Sequence, residues 1–92
     1  MAKLLRDLDP GTPVRCGHEP VGEVRAVYAT GDSRVPEYLC IYWTLRGEET
    51  LVETDEVLNI EDDIVVLRSS REAYADLIAF DPAQDPLLWR LH

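Results

Sequence analysis

Residues 38–53, YLCIYWTLRGEETLVE, form the stretch that decides the fold. Its first half, Tyr38 to Leu45, is apolar at nearly every position and rich in aromatic and β-branched residues. That composition is typical of a central strand covered on both faces. Arg46 and Gly47 favour a tight turn, because glycine adopts positive φ without steric cost. Residues 49–53 then return, so the stretch predicts a β-hairpin.

A second strand is predicted just upstream, over residues 21–29. Its alternation sets two faces, with Val24, Ala26 and Tyr28 on one and Glu23 and Arg25 on the other. Gly22 permits a bulge or a close backbone approach. Val14 to Cys16 predicts a short first strand, and residues 17–20 its turn.

Downstream of the hairpin, the pattern predicts a short helical turn and another hairpin. Thr54 can cap one turn running through Val57, with acidic residues near its amino end. Residues 58–60 and 64–67 then flank the turn residues Glu61-Asp62-Asp63.

A C-terminal helix is predicted after Ser69, because Glu72 follows it at the spacing of a capping box. The helical stripe consists of Ala73, Tyr74, Leu77, Ile78 and Phe80. Asp81-Pro82 would end the helix.

Four segments resemble the PRC-barrel superfamily over about residues 12–81: PVGEVRAVYA (20–29), PEYLCIYW (36–43), LVETDEVLNIEDDIVVL (51–67) and SSREAYADLIAFDP (69–82). Glu53 departs from the pattern, since many members carry proline there. The family is a β-barrel module of photosynthetic reaction-centre H subunits, ribosome-maturation factors and small stand-alone proteins. The resemblance implies an adaptor role without a shared catalytic site, and no family binding residue maps onto this chain.

The expected fold is therefore mainly β: a small PRC-barrel-like rolled sheet or β-barrel with one C-terminal helix and an apolar C-terminal tail. We expect a single domain over residues 1–92, with its core at about 12–81 and its tail at 82–92.

The charge balance restricts the partners. Eighteen acidic and nine basic residues give a net charge of −9. The basic residues are scattered singly, at Lys3, Arg6, Arg15, Arg25, Arg34, Arg46, Arg68, Arg71 and Arg90. A basic footprint is absent from the sequence, which disfavours direct nucleic-acid binding and favours a protein partner. The stretch Met1-Ala2-Lys3-Leu4-Leu5-Arg6-Asp7 has no signal-peptide pattern. No apolar run in the sequence is long enough for a membrane span. We therefore expect a cytoplasmic protein with reduced thiols.

Cys16-x-His18 is the first candidate for chemistry, with Cys40 or His92 as possible further ligands. A zinc site needs four well-placed ligands, and the paired spacings typical of zinc sites are missing. A thiol nucleophile needs a nearby base, and Cys40 falls in the most apolar strand, where a thiol stays protonated. We therefore expect no catalytic residue, no cofactor and no metal ligand.

Two other clusters have structural interpretations. The acidic residues Glu53, Asp55, Glu56, Glu61, Asp62 and Asp63 lack the spacing of an EF-hand loop and are read as turns and a solvated helix start. The aromatic residues Tyr38, Tyr42 and Trp43 could stack on bases, but a core strand explains them better, since leucine and isoleucine interleave with them.

The tail carries large apolar side chains: Leu87, Leu88, Trp89 and Leu91. Burying each contributes roughly 1.5–3 kcal/mol, so they are expected to pack either on their own barrel or on another chain. The leading hypothesis is a non-catalytic protein-interaction or adaptor module that self-associates as a homo-oligomer. The alternative is a ribosome-maturation or RNA-processing accessory acting through protein contacts. A small-ligand binder using the barrel mouth is a third possibility.

Overall fold

The computed structural model describes residues 8–30, 35–80 and 88–90, the last three by their backbone. Seven strands form one sheet: β1 Pro13–Cys16, β2 Glu19–Thr30, β3 Tyr38–Trp43, β4 Glu48–Glu53, β5 Val57–Glu61, β6 Ile64–Leu67 and β7 Leu88–Arg90. In these described ranges, two short 3₁₀ turns lie between strands, the 54–56 turn (Thr54–Glu56) and the 71–74 turn (Arg71–Tyr74). The prediction of a mainly-β chain is confirmed.

The strand order brings the two outer strands of the main path together at one end. The strands run β4-β3-β2-β1-β6-β5, with β7 added to β2, and every pair is antiparallel except β1 with β6. In a flat six-stranded sheet, the outer strands β4 and β5 would lie roughly 24 Å apart. The 54–56 turn joins those two strands directly, and three residues of 3₁₀ structure span only about 6 Å. The joined ends of β4 and β5 therefore curve towards each other.

The hairpin predicted at residues 38–53 is present. Trp43 pairs with Glu48, and Gly47 takes a φ of 68° in the turn between them. β3 ends at Trp43 rather than at the predicted Leu45, which lies in the turn with 76% of its surface exposed. The second predicted hairpin is also present, since β5 and β6 are joined through Asp62 and Asp63. Both aspartates have positive φ, at 49° and 64°, as a tight hairpin turn requires.

The predicted faces of β2 are correct only up to Arg25. The register between β2 and β3 shifts between Val24 and Ala26, so Arg25 is the extra residue of a β-bulge. Val24 and Val27 pair with Ile41 and Leu39, and all four are fully buried. Tyr28 pairs with Tyr38 on the opposite face and is half-buried. The bulge therefore places Val27, rather than Ala26 and Tyr28, beside Val24 on the inner face.

Among the described residues, one hydrophobic core packs against the sheet. Its buried side chains come from β1, β2, β3, β4 and β6, together with one residue before β1 and one after β6. They are Leu8, Val14, Cys16, Val21, Val24, Val27, Leu39, Ile41, Trp43, Val52, Val65, Leu67 and Tyr74. Val57 and Ile60 of β5 and Leu77 pack against this cluster while remaining partly exposed. The inner surface is thus almost wholly aliphatic, with two aromatic rings at one end.

The prediction of a C-terminal helix is wrong. Only the 71–74 turn is helical, and the described chain from there to residue 80 is not. In an α-helix, the carbonyls of Tyr74 and Leu77 would accept bonds from residues 78 and 81. The Arg46 side chain instead donates to both carbonyls, at 3.3 and 2.8 Å. The Phe80 amide donates to the Glu49 carbonyl at 2.7 Å. Groups of the β3–β4 hairpin thus form hydrogen bonds that an α-helix would form within itself.

Ile78, which the helical stripe would have buried, has 87% of its surface exposed. Phe80 does pack, with its ring edge against Tyr28 at a centroid distance of 5.3 Å. Within residues 8–30, 35–80 and 88–90, no helix has the length and apolar character needed to cross a bilayer.

The tail returns to the sheet of its own chain. In β7, Leu88, Trp89 and Arg90 pair antiparallel with Thr30, Ala29 and Tyr28. Leu87 and Leu91 lie outside the described residues, as do residues 1–7 and His92. Residues 88–90 thus extend the sheet beyond Tyr28 on β2.

Candidate interaction clefts

Tyr74 is the centre of the candidate site. The 71–74 turn buries it to 5% exposure, and its ring lies 5.5 Å from that of Trp43 at an angle of 31°. Its hydroxyl donates to Glu56 Oε1 at 3.0 Å and accepts from the Ser69 amide at 3.3 Å. Burial raises the pKa of Tyr74 above its ordinary value, so the phenol stays neutral. These contacts fix the ring between two clefts.

Arg46 holds the segment after Tyr74 against the β3–β4 turn. Besides the carbonyls of Tyr74 and Leu77, its guanidinium contacts Glu48 Oε2 at 2.8 Å. One arginine thus uses its planar fork to join three separate acceptors. The β3–β4 turn and the chain at 74–77 consequently form one wall.

The first of the two clefts beside Tyr74, named the Trp43 cleft, is mainly apolar. It has a volume of about 290 Å³ and is lined by Val21, Trp43, Leu45, Arg46, Arg71, Glu72, Tyr74 and Ala75. The Trp43 indole is anchored behind it, because Nε1 donates to the buried Thr50 Oγ1 at 2.7 Å. Leu45 stands at the rim, largely exposed.

The second, the Glu56 groove, lies on the other side of Tyr74. Its volume is about 360 Å³ and its lining is Tyr38, Leu51, Val52, Glu53, Glu56, Ala73, Tyr74 and Leu77. A shallower hollow of about 270 Å³ continues it past Tyr38 and Glu53, and is lined further by Glu37, Thr54 and Asp55. All four charged residues of this continuous surface are acidic.

Cys16, Cys40 and His18, the described members of the predicted cysteine–histidine cluster, differ in exposure and His92 lies outside the described residues. Cys16 and Cys40 are both buried and are not joined in a disulfide, whereas His18 is exposed in the β1–β2 turn. Burial, reinforced by the Glu19 charge, raises the pKa of Cys16 to about 11. At neutral pH that leaves about one thiol in ten thousand ionised, and the thiolate is the nucleophile. Among the described residues, no group of three or more His, Cys, Asp and Glu side chains is placed to hold a metal.

The acidic stretch and the aromatic strand are each divided by the fold. Glu53, Asp55 and Glu56 flank or form the 54–56 turn, whereas Asp62 and Asp63 lie beyond β5 in the next hairpin. In β3, Trp43 is buried in the core, whereas Tyr38 and Tyr42 lie half-buried on the other face. The Arg25 guanidinium covers the Tyr42 ring at 4.7 Å. The three aromatic residues therefore do not form one stacking surface.

Neither cleft was predicted from the sequence. Both are lined by Tyr74, for which the sequence predicts only a place in a helical stripe. Arg46, for which it predicts only a turn, lines the Trp43 cleft and bonds the carbonyl of Leu77 in the Glu56 groove.

Comparisons with protein-family models, with curated proteins and with solved structures give no match to this chain.

Proposed function

We propose that this chain is a non-catalytic protein-interaction or adaptor module of PRC-barrel type that self-associates. The observation that carries the proposal is the Trp43 cleft, an apolar surface with Leu45 exposed at its rim. A concave apolar site with an exposed leucine at its rim offers a pocket that an apolar side chain of a partner can fill.

Two exposed aliphatic residues adjoin residues of this wall in the sequence. Leu45 precedes Arg46, and Ile78 follows Leu77, whose carbonyl accepts from that arginine. Leu45 and Ile78 are 76% and 87% exposed. Covering such a side chain contributes roughly 1.5–3 kcal/mol, so a partner that buries both gains substantially.

The reactivity of the buried nucleophilic groups supports a non-catalytic role. The pKa values of Cys16 and Tyr74 are both raised, which lowers their reactivity at neutral pH. A catalytic nucleophile would need the opposite shift or an adjacent base.

The tail is proposed as a second contributor to self-association. Pairing of β7 with the edge of β2 is strand addition within one chain, and the same edge can accept the strand of a second copy. Leu87, Leu88, Trp89 and Leu91 are the residues proposed to make this contact. The proposed setting is the cytoplasm, where buried thiols such as Cys16 stay reduced.

Sedimentation equilibrium over a wide concentration range tests self-association. We expect a concentration-dependent dimer or larger assembly that Leu45→Glu shifts to monomer. Leu58→Glu is the matched control, because Leu58 is 55% exposed on β5 and lines neither cleft. A monomer at every concentration, or a Leu45→Glu variant that assembles like the parent, would refute the proposal.

A role as an accessory in ribosome maturation or RNA processing is the second candidate. The Glu56 groove favours it, since its charged lining suits a basic protein better than a nucleic-acid backbone. Salt-sensitive co-sedimentation with ribosomal subunits would support this role, and its absence at low salt would exclude it.

A further inference from the structure

The Glu56 groove combines an apolar floor with charge of one sign. Six of its eight lining residues are aliphatic or aromatic, and the other two are Glu53 and Glu56. Its volume of about 360 Å³ is near the lower end for ligand pockets, which suits one or two side chains. The floor and one wall are firm, because the groove shares the fixed Tyr74 ring with the Trp43 cleft.

The two glutamates keep their charge available. In the part of the chain that the structure describes, neither is in an ion pair with an arginine. Glu56 Oε1 accepts from the neutral Tyr74 hydroxyl, which orients the carboxylate without cancelling its charge. Glu37 and Asp55 in the adjoining hollow add negative charge, and Arg68, whose Nε donates to the Asp55 carbonyl at 2.7 Å, offsets part of it at the 54–56 turn.

We infer that the Glu56 groove binds a lysine or arginine side chain from an extended segment of a cationic partner protein. The inference rests on the proposed role as an interaction module and names the partner class. The aliphatic stem of the side chain would lie on Leu51, Leu77 and the tyrosine rings, as such stems do on apolar surfaces. The charged head would reach Glu53 and Glu56. A second copy is a poor occupant of this groove, since its basic residues are scattered singly and form no cationic segment.

Fluorescence polarisation with a short capped peptide of alternating arginine and leucine tests this inference on the full chain. The matched probe has citrulline in place of arginine, which keeps the size and removes the charge. We expect the arginine peptide to bind at least about ten-fold more tightly than the citrulline peptide.

The variant Glu53→Gln/Glu56→Gln removes two charges from the groove, while the amide introduced at position 56 still offers an oxygen to the Tyr74 hydroxyl. Asp62→Asn/Asp63→Asn removes two charges at the far end of β5, at positive-φ positions where asparagine is tolerated. We expect about a ten-fold loss of affinity in the first variant and less than two-fold in the second. Glu53→Gln alone, at an exposed position, serves if the double variant folds poorly.

Equal losses in both double variants, or equal binding of the two peptides, would overturn the inference and assign any binding to diffuse charge. Sedimentation on the same samples separates the two proposals. Peptide binding by a chain that stays monomeric would refute self-association alone. Self-association without peptide binding would refute this inference alone.

Discussion

Gly22 and Tyr42 meet backbone to backbone across β2 and β3: a Cβ on Gly22 would lie 1.8 Å from the Tyr42 carbonyl oxygen. No rotation of a side chain relieves that clash, because both partners are main chain. The contact confirms the close approach predicted at this glycine.

Gly22→Ala is therefore expected to destabilise the fold by about 3 kcal/mol or to prevent folding, since the paired strands must separate. Urea unfolding followed by tryptophan fluorescence measures the change. Gly17→Ala is the control, because Gly17 has a φ of 62° but nothing within 4 Å of its Cβ position. Its expected cost is about 1 kcal/mol. Equal losses at the two positions would contradict the interpretation.

The bond between Trp43 Nε1 and Thr50 Oγ1 is expected to hold the floor of the Trp43 cleft. Thr50→Val leaves the buried indole N–H without its acceptor, which should cost about 1–3 kcal/mol. Trp43→Phe removes the donor, so a double-mutant cycle isolates the bond with an expected coupling of about 1 kcal/mol. Additive losses within experimental error would show that the bond contributes nothing.

Cys16 is expected to make stability depend on pH in the alkaline range. Burial raises its pKa in the folded chain to about 11 from an ordinary value near 9. The folded state thus favours the neutral thiol, and this contribution is complete below about pH 9 and declines as the pH rises towards 11. The stability of the parent relative to Cys16→Ala should fall between those values. Subtracting the variant removes the similar effect of Tyr74, and a constant difference would exclude the shift.

Arg46→Met is expected to release the chain after the 71–74 turn. It removes the bonds to the carbonyls of Tyr74 and Leu77, for an expected loss of about 2 kcal/mol. Hydrogen exchange at the Phe80 amide, which bonds the Glu49 carbonyl, should accelerate. Glu48→Gln removes only the exposed ion pair and should change stability by under about 0.5 kcal/mol. Unchanged exchange at Phe80 in Arg46→Met would contradict this role.

Local patterns predict the parts of this fold that depend on neighbouring residues. Gly47 and the Asp62-Asp63 pair indicate their hairpins in the sequence, because the tendency to adopt positive φ depends on the type of each residue. The short turn predicted after residue 53 is present at 54–56, but the prediction that Thr54 caps it is wrong. Glu53 is the N-cap without a side-chain cap bond, and the Thr54 hydroxyl instead donates to the distant Pro36 carbonyl at 3.3 Å. The bulge at Arg25 is different, since alternation carries no sign of an extra residue until the partner strand is in place.

The clefts could not be predicted because they depend on contacts distant in sequence. Arg46 and Leu77 are separated by 31 positions, and nothing in either segment shows that a side chain replaces helical hydrogen bonds. The stripe from Ala73 to Phe80 has helical spacing, yet the hairpin and β4 provide partners for its backbone. The family resemblance stays a prediction.

The parallel pairing of β1 with β6 has a consequence for how the chain folds. Val14 pairs with Val65, and the intervening residues include every other strand of the main path. Pairing β1 with β6 closes a large loop, and the chain entropy lost in closing it slows this step. The β3–β4 and β5–β6 hairpins close short loops and form locally. We therefore expect the hairpins to form first and the sheet to become cooperative only when β1 meets β6. On a ribosome, a nascent chain released only as far as β4 would still leave one edge of β1 open.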